Sequence, residues 1–256
     1  MPIKLDLGGL RLLIVGASSG LGRALAGLAG GVGAQVAVAA RRRTHLEEVA
    51  GAVRAAGGEC VVVPCDVLRD ASCQEAVEAS VAALGGLDAL IYAAGIADPV
   101  LLRDADRASW HRHLDTNLVG ASQVTAAAIP FLEASQGRAL YVSSYAVRQS
   151  LPGLALYGVS KVALDRLVEA WRMEHPTVDF TRALLGNTEG TEFASRWGAE
   201  RTAKFVKLWV EGGLFPSATM MKLEDAAEAI LSALALRGFV DDLAVMPRRR
   251  DSPTEP

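Results

Sequence analysis

Histidine and cysteine are scarce in this chain of 256 residues, four and three copies, and aromatic residues make up only 5% of it. His111 and His113 stand two apart on an expected helix and face different ways, so no zinc-type spacing arises. Cys60 and Cys65 stand five apart at an expected strand and point to opposite faces, which defeats a shared metal site. With Cys73 they read as buried structural thiols, and no metal is expected. Charge is also sparse: 21% of residues carry it and the net value is −3, which gives no electrostatic case for nucleic acid. Two stretches lack charge altogether, 24–40 and 116–132. Gly30, Gly31 and Gly33 break the first; Asn117, Ser122, Gln123, Thr125 and Pro130 break the second, so neither is a membrane span. The opening MPIKLDLGGL has no basic segment leading into an apolar core, hence no signal peptide is expected. These absences point to a soluble, cytoplasmic protein with neither nucleic-acid nor membrane partners.

What is present is Ala, Gly, Val and Leu in alternating blocks, long enough to bury a sizeable core. Residues 10–15 (LRLLIV) form an apolar run that reads as a buried parallel strand. It opens into Gly16-Ala-Ser-Ser-Gly20-Leu-Gly22 and a small-residue helix over 21–29. Strand, glycine turn and helix in that order make a phosphate cradle: Gly16 permits the turn, Gly20 a close backbone approach and Gly22 tight helix–strand packing. The spacing is G-x-x-x-G-x-G. Gln35–Ala40 reads as the second strand. Where an acid would meet an adenine ribose, the chain has Ala39-Ala40 and then Arg41-Arg42-Arg43. Thr44 and Glu47 form a capping-box pattern that starts the next helix after the arginines and leaves them in the loop. A missing carboxylate and present guanidinium groups, with Arg41 first, favour NADP(H) over NAD(H).

Strands follow at Glu59–Pro64, 87–92, Arg138–Ser144, Asp179–Leu185 and 243–246, with helices over 71–84, 106–133, 156–175 and 223–236. The βα rhythm predicts an α/β doubly wound, Rossmann-like parallel sheet of about seven strands with helices on both faces. Asp88 reads as a turn residue. Asn117 lies inside an otherwise apolar helical run, where it is costly unless it has hydrogen bonds to make. One domain is expected over 1–246, with a lid over 187–222 and a disordered tail over 247–256. The lid gathers Phe193, Trp197, Phe205, Trp209, Phe215, Met220 and Met221. These residues either line a pocket for a bulky apolar molecule or pack the lid down.

The chemistry centres on Ser144 to Lys161, SYAVRQSLPGLALYGVSK. On a helix Tyr157 and Lys161 lie at i and i+4, one face, with an ammonium under a phenol. A cation there is expected to lower the phenol's pKa from about 10. Ser144 could hold the oxygen that receives the tyrosine's proton, whereas Ser143 faces the other side of its strand.

These residues, in this order, resemble the short-chain dehydrogenase/reductase superfamily over about 8–246. The resemblance implies Gly16, Gly20 and Gly22, with Ser18, Ser19 and Leu21, as the phosphate loop, and Asp66 with the Val67 backbone as the adenine site. It implies Ala94 and Gly95 beside the cofactor, and Asn117, Ser144, Tyr157 and Lys161 as the catalytic four. Tyr157 and Lys161 would also contact the cofactor, and Asn117 would hold a water that relays protons to Lys161. Three departures stand out: Val15 for the usual Thr, Tyr92-Ala93 for two Asn, and Leu185-Gly186 for Pro-Gly. Apolar packing is expected to replace the lost polar braces. The nicotinamide-binding Thr falls one residue late, leaving Thr191 and Thr188 as candidates. The family implies hydride transfer between NADP(H) and a carbonyl or secondary alcohol, in a homodimer or homotetramer built through the long helices. A non-catalytic dinucleotide sensor is the alternative.

Overall fold

The computed structural model describes residues 5–192, 194, 197–214 and 220–247. Phe193, Phe215 and all but the first residue of the expected tail lie outside the described residues. The strands are β1 Arg11–Val15, β2 Gln35–Ala40, β3 Glu59–Pro64, β4 Ala89–Tyr92, β5 Arg138–Ser144, β6 Asp179–Leu185 and β7 Asp242–Val245. They form one parallel sheet in the order β3-β2-β1-β4-β5-β6-β7. The expected doubly wound architecture is therefore present. The order reverses between β1 and β4, so the loops leaving those strands part and open a crevice at the sheet's carboxyl edge.

The helices are α1 Gly20–Gly31, α2 Arg43–Ala55, α3 Asp70–Leu84, α4 Arg107–Leu114, α5 Gly120–Ser135, α6 Ala155–Glu174, α7 Ala199–Glu211 and α8 Leu223–Ala235. Strand side chains alternate between two buried layers, as the pleat requires. Leu12 and Ile14 pack with α1, α2 and α8. Leu13 and Val15 pack with α3, α5 and α6. Cys60 falls in the first layer, and Cys65 and Cys73 in the second, so the expected split of the thiols holds. Asp88 is a turn residue that also binds a cation, its carboxylate receiving the Arg11 guanidinium, Nε to Oδ2 at 2.8 Å. That contact holds its carboxyl below the ordinary carboxylate range.

Two expectations need correction. Helix α2 begins at Arg43 with Arg42 at its N-cap, and no side chain caps it. The capping box fails because Thr44 lies inside the first turn rather than at the N-cap, and Glu47 pairs with Arg43 instead, Nε to Oε1 3.5 Å. The second correction concerns 106–133, which is not one α-helix. Between α4 and α5 the chain widens into a π-helical turn, Asp115–Val119, closed by the Gly120 N–H on the Asp115 carbonyl.

Tyr92 explains where that widening sits. Its fully buried hydroxyl donates to the Thr116 carbonyl at 2.6 Å. A Cβ on Gly120 would come within 2.9 Å of that hydroxyl and 2.8 Å of Val67, so glycine is needed where α5 starts. The expected apolar replacement at position 92 is thus wrong: a phenol supplies the polar brace. His113, also buried, bonds Ser109 O through Nδ1 and accepts the Asp98 N–H at Nε2. Tyr92→Phe should lower the unfolding free energy by about 1–3 kcal/mol in urea, because a buried hydrogen bond is lost without relief.

Candidate active site

Glycine builds the cradle after β1 by leaving no room for anything larger. Gly16 has φ +91°, and a Cβ there would lie 2.5 Å from the Ala94 nitrogen. A Cβ on Gly22 would lie 2.4 Å from the Gly16 carbonyl oxygen. The loops leaving β1 and β4 and the first turn of α1 are therefore in backbone contact. Gly20, φ +52°, faces Thr191: its missing Cβ would lie 3.7 Å from the Thr191 Cα. Leu21 anchors this turn in the α1 layer. Such a surface, small and rich in backbone amides at a helix start, fits a pyrophosphate.

Of the three arginines, the structure brings Arg42 to this loop. Its Nη2 donates to Ser18 Oγ at 2.9 Å and Ser19 Oγ at 2.8 Å. The same guanidinium forks onto Glu192, Nη1 to Oε1 3.1 Å and Nη2 to Oε2 3.0 Å. Arg41 is exposed and Arg43 belongs to α2. Strand alternation held the signal for choosing among them. Val38 and Ala40 face the α1 layer, and two further residues along that face lies Arg42. Glu192, 150 residues away, had no such signal.

Asp66 and Val67 follow β3. The Asp66 N–H donates to Ser72 Oγ at 3.0 Å, and its Oδ1 accepts the Leu68 N–H at 3.2 Å. The carboxylate thus shapes its own turn, and Val67 packs where α5 begins.

The four residues expected to be catalytic form a run of neighbours, Ser144 on Tyr157, Tyr157 beside Lys161, and Lys161 with Asn117 against Gly95. Ser144 ends β5, its hydroxyl bonded to Tyr157 and accepting the Ala146 N–H at 3.2 Å. Ser143 points the other way, donating to Asp165 Oδ1 at 2.6 Å, as strand alternation predicts. Tyr157 is 9% exposed and Lys161 4%, and Asn117 is fully buried. Lys161 Nζ lies 5.9 Å from the centroid of the Tyr157 ring and donates to the Val142 carbonyl at 2.7 Å. The Asn117 amide donates to Ile96 O and Ser160 Oγ, and its oxygen accepts the Ile96 N–H at 2.8 Å. Its side chain therefore fastens the β4 loop to α6. A Cβ on Gly95 would lie 3.4 Å from Asn117 Oδ1 and 3.6 Å from Lys161 Nζ.

Burial reverses the expected effect on the phenol. It pushes Tyr157 up to about 12, while the Ser144 hydrogen bond works against it. Burial pulls the Lys161 ammonium down to about 8, with Asp165 opposing from one helical turn along. A buried phenol and a buried ammonium each resist their charged form. Burial, not the expected lowering by Lys161, thus sets the phenol, which holds its proton at neutral pH.

Of the two threonine candidates, Thr188 donates to the Gly186 carbonyl at 3.0 Å and bridges to Met221. Thr191 lies over Gly20. The described aromatic residues of the expected lid, Trp197, Phe205 and Trp209, are packed down. They form a buried cluster with Leu154. Their indoles donate to the carbonyls of Ala97 (2.7 Å, Trp197) and Pro152 (2.8 Å, Trp209). Gly153, φ +85°, gives Phe205 its place, since a Cβ there would lie 2.2 Å from that ring. Met221 is buried in the α8 layer and Met220 is exposed.

A dinucleotide cradle joined to a Ser–Tyr–Lys site at the switch point of a parallel sheet defines a class of nucleotide-dependent oxidoreductases. A family model described as short chain dehydrogenase matches residues 11–202, so the chain belongs to that family. An 11-beta-hydroxysteroid dehydrogenase A from Sesamum indicum is 31% identical over 238 residues, 91% of this chain and 67% of that one. An uncharacterized oxidoreductase from Listeria innocua is 34% identical over 164 residues, covering 64% of this chain and 66% of its own. This chain thus aligns with just under two thirds of the Listeria relative. Among solved structures, a short-chain type dehydrogenase/reductase from Mycobacterium marinum superposes with TM-score 0.83 at 27% identity, covering 94% of this chain and 96% of that one. An alcohol dehydrogenase from the archaeon Thermococcus sibiricus, complexed with 5-hydroxy-NADP, shares the fold with TM-score 0.79, 24% identity, and coverage of 94% and 98%. Among the described residues no three His, Cys, Asp or Glu side chains group to hold a metal ion, and no helix is long and apolar enough to cross a membrane.

The two perturbed groups set a pH dependence. Lys161 binds its proton less tightly when folded, so folding carries a cost below pH 8 that fades as the pH approaches 10.5. That cost is on the order of 3 kcal/mol. The stability gap between Lys161→Met and the parent protein should therefore change by roughly 2 kcal/mol in favour of the parent from pH 8 to pH 10. Urea titrations of both proteins at each pH measure it, and a constant gap would refute the assignment.

Proposed function

We propose that the chain is an NADP(H)-dependent dehydrogenase/reductase acting on a carbonyl or secondary alcohol. The observation that carries this reading is the Tyr157 hydroxyl on Ser144 with Lys161 below the ring. A nicotinamide dinucleotide bound along the glycine cradle supplies or accepts the hydride. Tyr157, protonated at neutral pH, donates its proton to a substrate oxygen as that oxygen gains charge. Ser144 hydrogen-bonds the same oxygen and fixes its distance from the phenol. Lys161 stands ready to compensate the phenolate, its ammonium aimed by the Val142 carbonyl. Asn117 holds Ile96, and with it Gly95, against Lys161. Both amide hydrogens of Asn117 are engaged, so a water relaying protons to Lys161 would use the remaining lone pair of its Oδ1 or nearby backbone groups.

Arg42 with Ser18 and Ser19 is the reading for NADP(H): five donors and two hydroxyls where a 2′-phosphate would lie. The substrate is proposed to be bulky and apolar, supported by the name of the sesame relative and by half-buried Leu101 and Leu151 beside the tryptophan cluster. The cluster itself supports this less than the bare sequence does, because its rings pack inward. Residues 1–246 are proposed as one domain with 187–222 as its lid. Self-association into a dimer or tetramer is supported by Val159 and Val162, half exposed on α6. Three buried free thiols fit a reducing cytoplasm.

Turnover should be measured with NADPH and NADH in parallel against apolar ketones. Tyr157→Phe should lower kcat by about 10²–10⁴ while cofactor binding persists. Arg42→Ala should raise the KM for NADPH by about tenfold to a hundredfold and leave NADH nearly unchanged. Cofactor binding with full activity in Tyr157→Phe would remove the enzyme reading as stated. Binding without any turnover in the parent protein would favour a dinucleotide sensor.

A further inference from the structure

Arg42 is held on two sides at once. Ser18 and Ser19 take it from the phosphate loop, and Glu192 takes its open fork with both carboxylate oxygens. A guanidinium fork that fits a carboxylate also fits a phosphate, with the same paired donors. The two cannot use the fork together, because each needs both donors and the two anions repel. Glu192 also arrives on a defined support. Asn187 and Glu189 are pinned to Met221, by Met221 N to Asn187 O at 3.0 Å and Glu189 N to Met221 O at 3.0 Å. Gly190, at φ +72°, then turns the chain, and Thr191 and Glu192 come down on Gly20. Thr191 and Glu192 therefore stand one glycine turn beyond the support at 187–189. The ion pair itself is half exposed, 35% for Arg42 and 42% for Glu192. Pairs so placed are weak and exchange readily.

We propose that Glu192 is a built-in competitor for the cofactor's 2′-phosphate at Arg42. NADP(H) must displace it, lifting 191–192 from the phosphate loop, whereas NAD(H) binds without breaking the pair. Glu192 is then a specificity-determining residue that narrows the preference Arg42 creates, and it ties the position of the segment over Gly20 to which cofactor is bound. This rests on the reading of Arg42 as the 2′-phosphate ligand.

Titrating NADPH and NADH separately into the full chain, followed by cofactor fluorescence, tests it in the parent protein, Glu192→Gln, Arg42→Ala and the double variant. Glu192→Gln should tighten NADPH by about threefold to fivefold, equal to about 0.7–1 kcal/mol at 1.4 kcal/mol per tenfold, and leave NADH unchanged. The gain should vanish in the Arg42→Ala background, since the two side chains act through one contact. If Arg42→Ala weakens NADPH but Glu192→Gln changes nothing, the competitor is overturned and the cofactor reading stands. If Arg42→Ala binds NADPH as tightly as the parent, the cofactor reading falls, and the competitor with it. Equal tightening of both cofactors would report a generally loosened segment and overturn the proposal. Weakened NADH in Glu192→Gln would do the same, making Glu192 a ribose ligand.

Discussion

The contact on which the rest of the structure depends is made without side chains: Gly16 against Ala94, and Gly22 against Gly16. Two strands adjacent in the sheet send their loops apart, yet the first residues of those loops touch backbone to backbone. Added Cβ atoms would sit 2.4–2.5 Å from backbone atoms there, and backbone cannot swing aside as a flexible side chain can. The contact fixes the start of α1 relative to the β4 loop. Since Gly95 belongs to that loop and lies against Asn117 and Lys161, the glycine turn and the Tyr157–Lys161 cluster are joined by direct contacts. The hydride transfer proposed for this chain would need reacting atoms placed within a few tenths of an ångström, and such backbone contacts would supply that at little entropic cost.

A second line of contacts enforces the same geometry from below. The Tyr92 hydroxyl holds Thr116, the π-helical turn widens beside it, and Asn117 is thereby delivered to Ile96 and Ser160. Ser160 in turn donates to the Tyr157 carbonyl, within the first turns of α6. Every polar side chain in this line is buried, and each is answered by a partner. Buried groups of this kind make an arrangement unique, because any slip leaves a donor or acceptor without a bond.

The sheet, its seven strands and the proximity of Ser144, Tyr157 and Lys161 were legible because each rests on a short local pattern. Apolar runs of four to seven residues carry the strands, and the i, i+4 spacing of Tyr157 and Lys161 survives folding unchanged. Ser144 was separable from Ser143 for an equally local reason, the two-residue period of β5. What could not be read depends on pairs remote in the chain. Arg42 and Glu192 meet across 150 residues, and Tyr92 acts on a carbonyl 24 residues away. The phenol's proton affinity belongs with these. One nearby cation was visible in the sequence, but the low-dielectric surroundings that raise Tyr157 and lower Lys161 exist only once the core has closed. The tryptophans teach the same lesson in reverse: their clustering in sequence was plain, but only the carbonyls of Ala97 and Pro152 show that they point inward.

The distribution of interaction strength across the site follows from what each part must do. Around Tyr157 and Lys161 the groups are buried and answered by partners on β5. Breaking a buried, charge-assisted contact costs about 1.5–3 kcal/mol or more, enough to hold one geometry through many turnovers. At Arg42 the contacts are half exposed, where a salt bridge contributes about 0–1 kcal/mol, close to thermal energy. A dissociable dinucleotide requires that contrast. In the proposed binding mode its reacting end would meet fixed groups, and its adenosine end would enter and leave past groups that already have partners. An arginine with no resident anion would bind any passing phosphate, and one locked in the core would admit none. Glu192, half exposed beyond its support at 187–189, lies between these limits in the role proposed for it.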